Sequence, residues 1–337
     1  MTPTDASPFM SRLIDVLLLV ALPASGKSEV RRYLASLTPE QCRDEMRLGP
    51  TVQLDDYPYV HLMRRISQEL RGRGRDGVFF DSDELPMKEP RDWGTLIELL
   101  NEDFDDLVRR RRASPGPASA SEWLFERLDS ARRQVGARPA LGQLDPAVRR
   151  DVAQALEAEC AGLLRDKNAG IPDSLKGRTV VIEMARGGPD GATMPLPAPL
   201  GYRYSIATFS QEILSRAAVL YVWVTPEESR RKNIERTDPD DPGSILHHGV
   251  PMAVMLGDYG CDDLAWLLEQ SDRPDTVRIE AHGRTWRLPV ARFDNRVDKT
   301  TFVRADRSQW KESDVRALHQ GLAEALGRLV KAGEKVF

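Results

Sequence analysis

Residues 15–20 (DVLLLV) carry an almost unbroken apolar run of strand length, which suits a β-strand buried on both faces. A loop of small residues follows, and helical character takes over at 28–37, ending before Pro39. Residues 51–54 (TVQL) form a second short strand that stops at two carboxylates, Asp55 and Asp56. Over 93–108 the period changes: Leu96, Leu99, Leu100, Phe104 and Leu107 recur at helical spacing. Further strands are expected at 179–183 (TVVIE) and 217–224 (AAVLYVWV). A hairpin is expected at 276–293, turning at His282-Gly283, with its second arm as the last core strand. An amphipathic helix spans 312–331 through Val315, Leu318, Leu322, Leu326 and Leu329. Strands alternating with helices imply an α/β, doubly wound fold whose mainly parallel sheet is covered on both faces.

The pattern breaks near residue 109. A basic run, Arg109 to Arg112, leads into a stretch at 113–121 rich in Ser, Pro, Ala and Gly, which reads as a linker. Helical patterns then occupy 122–135 and 146–164. The chain therefore divides into a first core part (1–109), a helical insertion (110–176) and a second core part (177–337) that ends in the hairpin and helix.

Composition narrows the function classes. At 337 residues, 41% hydrophobic and 30% charged, the chain can bury a sizeable core and still carry long polar helices. A formal charge of −4 and a pI near 5.9 give no electrostatic footprint for nucleic acid, which is disfavoured as a partner. Cys42, Cys160 and Cys261 are isolated and odd in number, so neither a disulfide framework nor a zinc ribbon is read from them. The apolar run at 16–22 is too short to span a bilayer, which takes ~20 residues, and lacks the flanks of a signal peptide. A cytoplasmic protein without membrane contact is expected.

The most specific signal is ALPASGKS at 21–28, which matches G-x-x-x-x-G-K-[ST] except that Ala21 replaces the first glycine. A buried strand precedes it and a helix follows, which is the context in which backbone N–H groups and a helix N-terminus wrap phosphate oxygens. Gly26 permits close backbone approach, Lys27 reaches the β- and γ-phosphates and the Ser28 hydroxyl coordinates Mg²⁺. Ala24, Ser25, Gly26, Lys27, Ser28 and Glu29 are the residues expected to line the nucleotide.

Other charged positions extend this site. Asp55 ends the second strand, at the edge where α/β sheets hold ligands, and is a candidate base for an acceptor hydroxyl; Asp56 is the weaker alternative, and both could instead cap a helix. Glu183 ends the third strand and could order magnesium, and Arg186 just beyond it is a candidate phosphate or acceptor contact. Ser28, Asp55 and Glu183 form the candidate metal set. The segment TPEESRRKNIER at 225–236 starts like a helix and carries Arg230, Arg231, Lys232 and Arg236. Arg231 and Arg236 are the first candidates for charge stabilisation from a mobile lid, against the reading of a solvated basic face.

In this order the motifs resemble the P-loop kinase group, and within it the uridine kinase and phosphoribulokinase branch. The residues that carry the resemblance are the 21–28 loop, LDDY at 54–57, the faint echo FFDSDELPMKEPRDW at 79–93, VVIE at 180–183, and LYVWVTPEESRRKNIER at 220–236. The resemblance implies a five-stranded parallel core, ATP with Mg²⁺, Asp55 as catalytic base and the Arg-rich helix as lid. It covers about half of the chain, and it leaves the acceptor, a nucleoside- or sugar-type compound or another small molecule, unassigned.

Weaker features are read more plainly. His247-His248 with Asp258, Cys261, Asp262 and Asp263 fits no zinc spacing and is read as a polar loop. The segment 243–260 could fold over an acceptor. Asn295 sits where such kinases hold adenine, but Asp-Asn favours a turn. Two other functions compete: an ATP-dependent switch that meets a protein partner through 110–176, and a kinase of nucleic-acid ends, against which the net charge argues. A homodimer is a further expectation for the insertion.

Overall fold

The structure, a computed structural model, describes residues 13–114, 119–236 and 249–334. The first half runs β1 (Val16–Val20), α1 (Lys27–Ala35), α2 (Pro39–Asp44), β2 (Thr51–Asp55), α3 (Tyr57–Arg71), α4 (Asp92–Arg109), α5 (Ala120–Gln134) and α6 (Pro146–Ala169). The second half runs β3 (Thr179–Met184), α7 (Gly201–Thr208), α8 (Gln211–Leu214), β4 (Ala217–Trp223), α9 (Pro226–Arg236), α10 (Met252–Gly257) and α11 (Leu264–Glu269). It closes with β5 (Thr276–Ala281), β6 (Arg284–Asp294) and α12 (Glu312–Gly333).

The strands form one six-stranded sheet in the order β2-β3-β1-β4-β6-β5. All neighbours pair in parallel except β5, which lies antiparallel to β6 at the edge. The expected five-stranded core therefore gains a sixth strand. The reason is local: His282 and Gly283 both take positive φ (53° and 72°), the backbone demanded by a two-residue hairpin, and that turn folds β5 back on β6.

β1 sits among parallel neighbours and every residue in it is buried. Its side chains alternate: Val16, Leu18 and Val20 join one apolar cluster with α4, α7, α8 and α11, while Leu17 and Leu19 join another with α1 and α12. The continuous apolar run in the sequence is thus the mark of a strand with helices on both sides.

The helices of the 110–176 region do not stand apart. Leu124, Phe125 and Leu128 of α5 and Val152 and Leu156 of α6 share one apolar cluster with Tyr59, Leu62 and Ile66 of α3 and Leu96 and Leu99 of α4. Truncating any of these large buried side chains to alanine costs about 2–5 kcal/mol, which couples the region to the helices that flank the site. Ser119 caps α5 by accepting from Glu122 N, and the Glu157 carboxylate of α6 accepts from Ala120 N and Ser121 N. No described helix is long and apolar enough to cross a membrane.

Candidate active site

The chain leaves β1 at Val20, turns through 21–26 and enters α1 at Lys27. Two residues in this loop take the left-handed conformation, Ala24 (φ 57°) and Gly26 (φ 104°). At Gly26 a Cβ would lie 2.5 Å from Thr300 Oγ1 and 2.8 Å from Asn295 Nδ2, so the position needs glycine for both φ and space. The loop is held from behind by distant side chains. Asn295 donates to Ser25 O at 2.8 Å, and Ser229 of α9 donates to Pro23 O at 2.7 Å. The Ser25 hydroxyl is buried and has no hydrogen-bond partner.

β2 and β3 bring the carboxylates alongside. Asp55 and Glu183 are register partners on these parallel strands, so their side chains leave the sheet next to each other. Arg31 of α1 reaches both: its Nη1 is 2.7 Å from Glu183 Oε2 and 3.4 Å from Asp55 Oδ2. Burial works against the Arg31 charge, but Glu183 and Asp55 outweigh it and raise its pKa. Burial, with the charges of Glu183 and Asp56 nearby, pushes the Asp55 carboxyl up to about 7. Asp55 also accepts from Tyr57 N at 2.9 Å, at the start of α3.

Asp56 is buried and paired with Arg186 Nη1 at 2.5 Å. Burial raises its pKa, against the pull of Arg186 and Lys27. Arg186 is only 2% exposed and lies 5.0 Å from the centre of the Trp93 ring, beneath the site and not in it. Lys27 donates to Ala21 O at 3.1 Å, and burial lowers its pKa.

These groups surround a cleft of about 170 Å³ whose lining includes Pro23 to Glu29, Arg31, Asp55, Asp56, Glu183 and Arg236. Val60, Trp93, Met184, Val250 and Tyr259 contribute apolar surface to the same lining. Val250 and Tyr259 come from the segment expected to fold over the site, of which 243–248 lies outside the described residues. That segment is pinned by paired hydrogen bonds between the Asn233 side chain and Val250 and by Asp258 accepting from Met87 N. Neither Val250 nor Tyr259 carries a sequence signal for this role.

The basic helix divides. Arg236 lines the cleft, with its Nε buried and unpartnered, and burial lowers its pKa. Arg231 does not reach the site: it is exposed and held on the surface of α9 by Glu228 and Glu235. Five residues apart on a helix, the two side chains point about 140° apart, so only one can face the cleft. Lys232 is buried against Asp298 at 3.2 Å, and Arg230 pairs with Asp190 at 3.1 Å.

The Glu29 side chain pairs with Arg304 at 2.6 Å, so only its backbone and flank border the cleft. Asn295 makes the expected turn, accepting from Lys299 N, while its amide anchors the loop. His247-His248 lies outside the described residues; among the described residues no cluster of three or more His, Cys, Asp or Glu side chains is placed to hold a metal. Asp258 accepts from Met87 N and Asp262 from the Tyr221 hydroxyl, both as local structural pins. No protein-family model matches this chain and no curated protein matches it.

Proposed function

We propose that this protein is an ATP-dependent phosphotransferase of the P-loop kinase type, moving the γ-phosphate of Mg-ATP onto a hydroxyl of a small acceptor. The observation that carries the reading is one cleft holding both a strand–loop–helix turn, with Lys27 and Ser28 at the helix start, and the Asp55 and Glu183 carboxylates from adjoining strands.

The residues present fit a triphosphate and magnesium. Left-handed Ala24 and Gly26 shape the loop, and the Ser25 hydroxyl is buried without a partner. The first turn of α1 leaves its N–H groups free of intrahelical bonds. The Ser28 hydroxyl with Asp55 and Glu183 is the sparse oxygen set that suits Mg²⁺, which takes its remaining ligands from phosphate and water. When bound, Mg-ATP supplies the transferable phosphoryl group and neutralises part of its charge.

The chain's own groups then have distinct tasks. Asp55, at the end of β2 in the cleft, is the group placed to take the acceptor's hydroxyl proton. Lys27 and the Arg236 guanidinium put positive charge beside the phosphates. Val60, Trp93, Met184, Val250 and Tyr259 exclude water and hold the body of the acceptor. Three free cysteines fit a reducing cytoplasm.

The test is ADP release from Mg-ATP with pooled acceptors (nucleosides, sugars, sugar phosphates, vitamins) against none, in the native protein and in Lys27→Ala. Stimulation by one pool, lost in Lys27→Ala, supports the reading. Acceptor-independent release that needs Lys27 would favour a nucleotide-driven switch for a protein partner. Near-normal turnover without Lys27 would remove the P-loop assignment.

A further inference from the structure

Arg31 belongs to no motif, yet its guanidinium occupies the junction of the two carboxylates. α1 carries it one turn beyond Ser28, and from there Nη1 lies 2.7 Å from Glu183 and 3.4 Å from Asp55. The register of β2 and β3 sets Asp55 and Glu183 side by side. Two such carboxylates, partly withdrawn from water, repel each other unless a cation stands between them. Arg31 is that cation, and it makes no other ion pair among the described residues. Its side chain is 34% exposed and borders the cleft, so it has room to leave.

We infer that Arg31 is a displaceable internal counter-ion, whose guanidinium and an incoming divalent cation compete for the carboxylates of Asp55 and Glu183. The identity of that cation as the nucleotide's magnesium rests on the phosphotransferase reading. The physical consequence is conditional metal entry. Without nucleotide the metal has only Ser28 and two carboxylates already engaged, and half compensated in charge, by Arg31. With nucleotide, phosphate oxygens add ligands to the metal and the balance tips toward it. The site then admits metal and nucleotide together and resists a divalent ion alone.

The experiment uses Mn²⁺ as the probe, read from the electron paramagnetic resonance signal of the free ion. Native protein, Arg31→Met and Arg31→Gln are titrated with and without ADP. The expected result is Mn²⁺ binding about tenfold tighter in both variants without nucleotide, with the gap narrowing once ADP is present. Thermal melting gives a second readout: the variants melt lower than the native protein, and Mn²⁺ alone restores them while leaving the native protein unmoved. Equal or weaker nucleotide-free Mn²⁺ binding in folded variants would overturn the inference. Arg31→Gln keeps a polar but uncharged side chain and serves if Arg31→Met fails to fold. Failure of the native protein to bind ADP at all would sink the phosphotransferase reading instead, and the nucleotide-free comparison would still decide the role of Arg31.

Discussion

The side-chain amide of Asn295 donates to the main-chain carbonyl of Ser25 at 2.8 Å, joining the turn after β6 to the loop after β1 across 270 residues of chain. The same nitrogen donates to Thr300 Oγ1 at 2.9 Å, and Asn295 is fully buried. Asn295→Ala leaves the Ser25 carbonyl buried without its donor, at a cost of about 1–3 kcal/mol. The expected outcome is a lower melting temperature together with weaker ADP binding, measured by calorimetry. A melting loss with unchanged ADP affinity would restrict Asn295 to a structural role.

Gly26→Ala should be far more damaging than its one carbon suggests. The new Cβ meets Thr300 Oγ1 at 2.5 Å, and φ is 104°. Strain of this kind costs on the order of 1–3 kcal/mol and can be relieved only by moving the loop. Nucleotide binding should be lost while Gly74→Ala, also at positive φ but with nothing within 4 Å of a Cβ, binds normally. Equal affinity in both variants would mean that the loop does not touch nucleotide.

Asp55 makes a prediction with two signs. In the metal-free protein its folded pKa of about 7 lies above the usual 3.8, while transfer should require the ionised carboxylate and so be lost at low pH. Stability runs the other way. Between those two values the native state holds a proton that the unfolded chain has released, so this group's contribution falls as pH rises toward 7. Asp55→Asn should therefore lose transfer by ~10²–10⁴-fold yet be more stable at pH 8 by about 1–2 kcal/mol after allowing for screening by the open cleft. A pH-rate profile and denaturant titrations of both proteins check this. Unchanged turnover would move the base to Asp56 or Glu183.

Arg231 and Arg236 separate the two faces of α9. Arg231→Ala removes two exposed ion pairs and should leave both stability and turnover within about 0.5 kcal/mol of the native protein. Arg236→Ala removes a guanidinium from the cleft wall and should lower the transfer rate by about 10²-fold. The reverse ranking in steady-state kinetics would show that the helix turns its other face to substrate.

Arg186→Met should unfold the site without touching substrate. It strands the buried Asp56 carboxylate, and breaking one partner of a buried pair costs about 3–5 kcal/mol. The double variant Asp56→Asn, Arg186→Met should recover much of that stability. A double variant no better than the single one would mean that packing against Trp93, not charge pairing, is what Arg186 supplies.

The sequence by itself determined the features that depend on neighbours along the chain. An apolar run of strand length such as DVLLLV, followed at once by a small-residue loop, suits a buried strand, and the apolar periods of 93–108 and 312–331 suit helices, observed as β1, α4 and α12. The turn at His282-Gly283 is likewise local, because two adjacent positive φ values are a property of those residues. Asp55 and Glu183 were legible as carboxylates ending strands. That they are register partners was not, because register depends on how β2 and β3 meet across 128 residues of chain. Tertiary structure alone decided which charges face the cleft. Arg31 meets Glu183 152 positions away, Arg186 is spent on Asp56, and Arg231 is turned out while Arg236 is turned in. A basic or acidic letter in a sequence states that a charge exists; only packing states what it is near, and electrostatic energy depends on that distance.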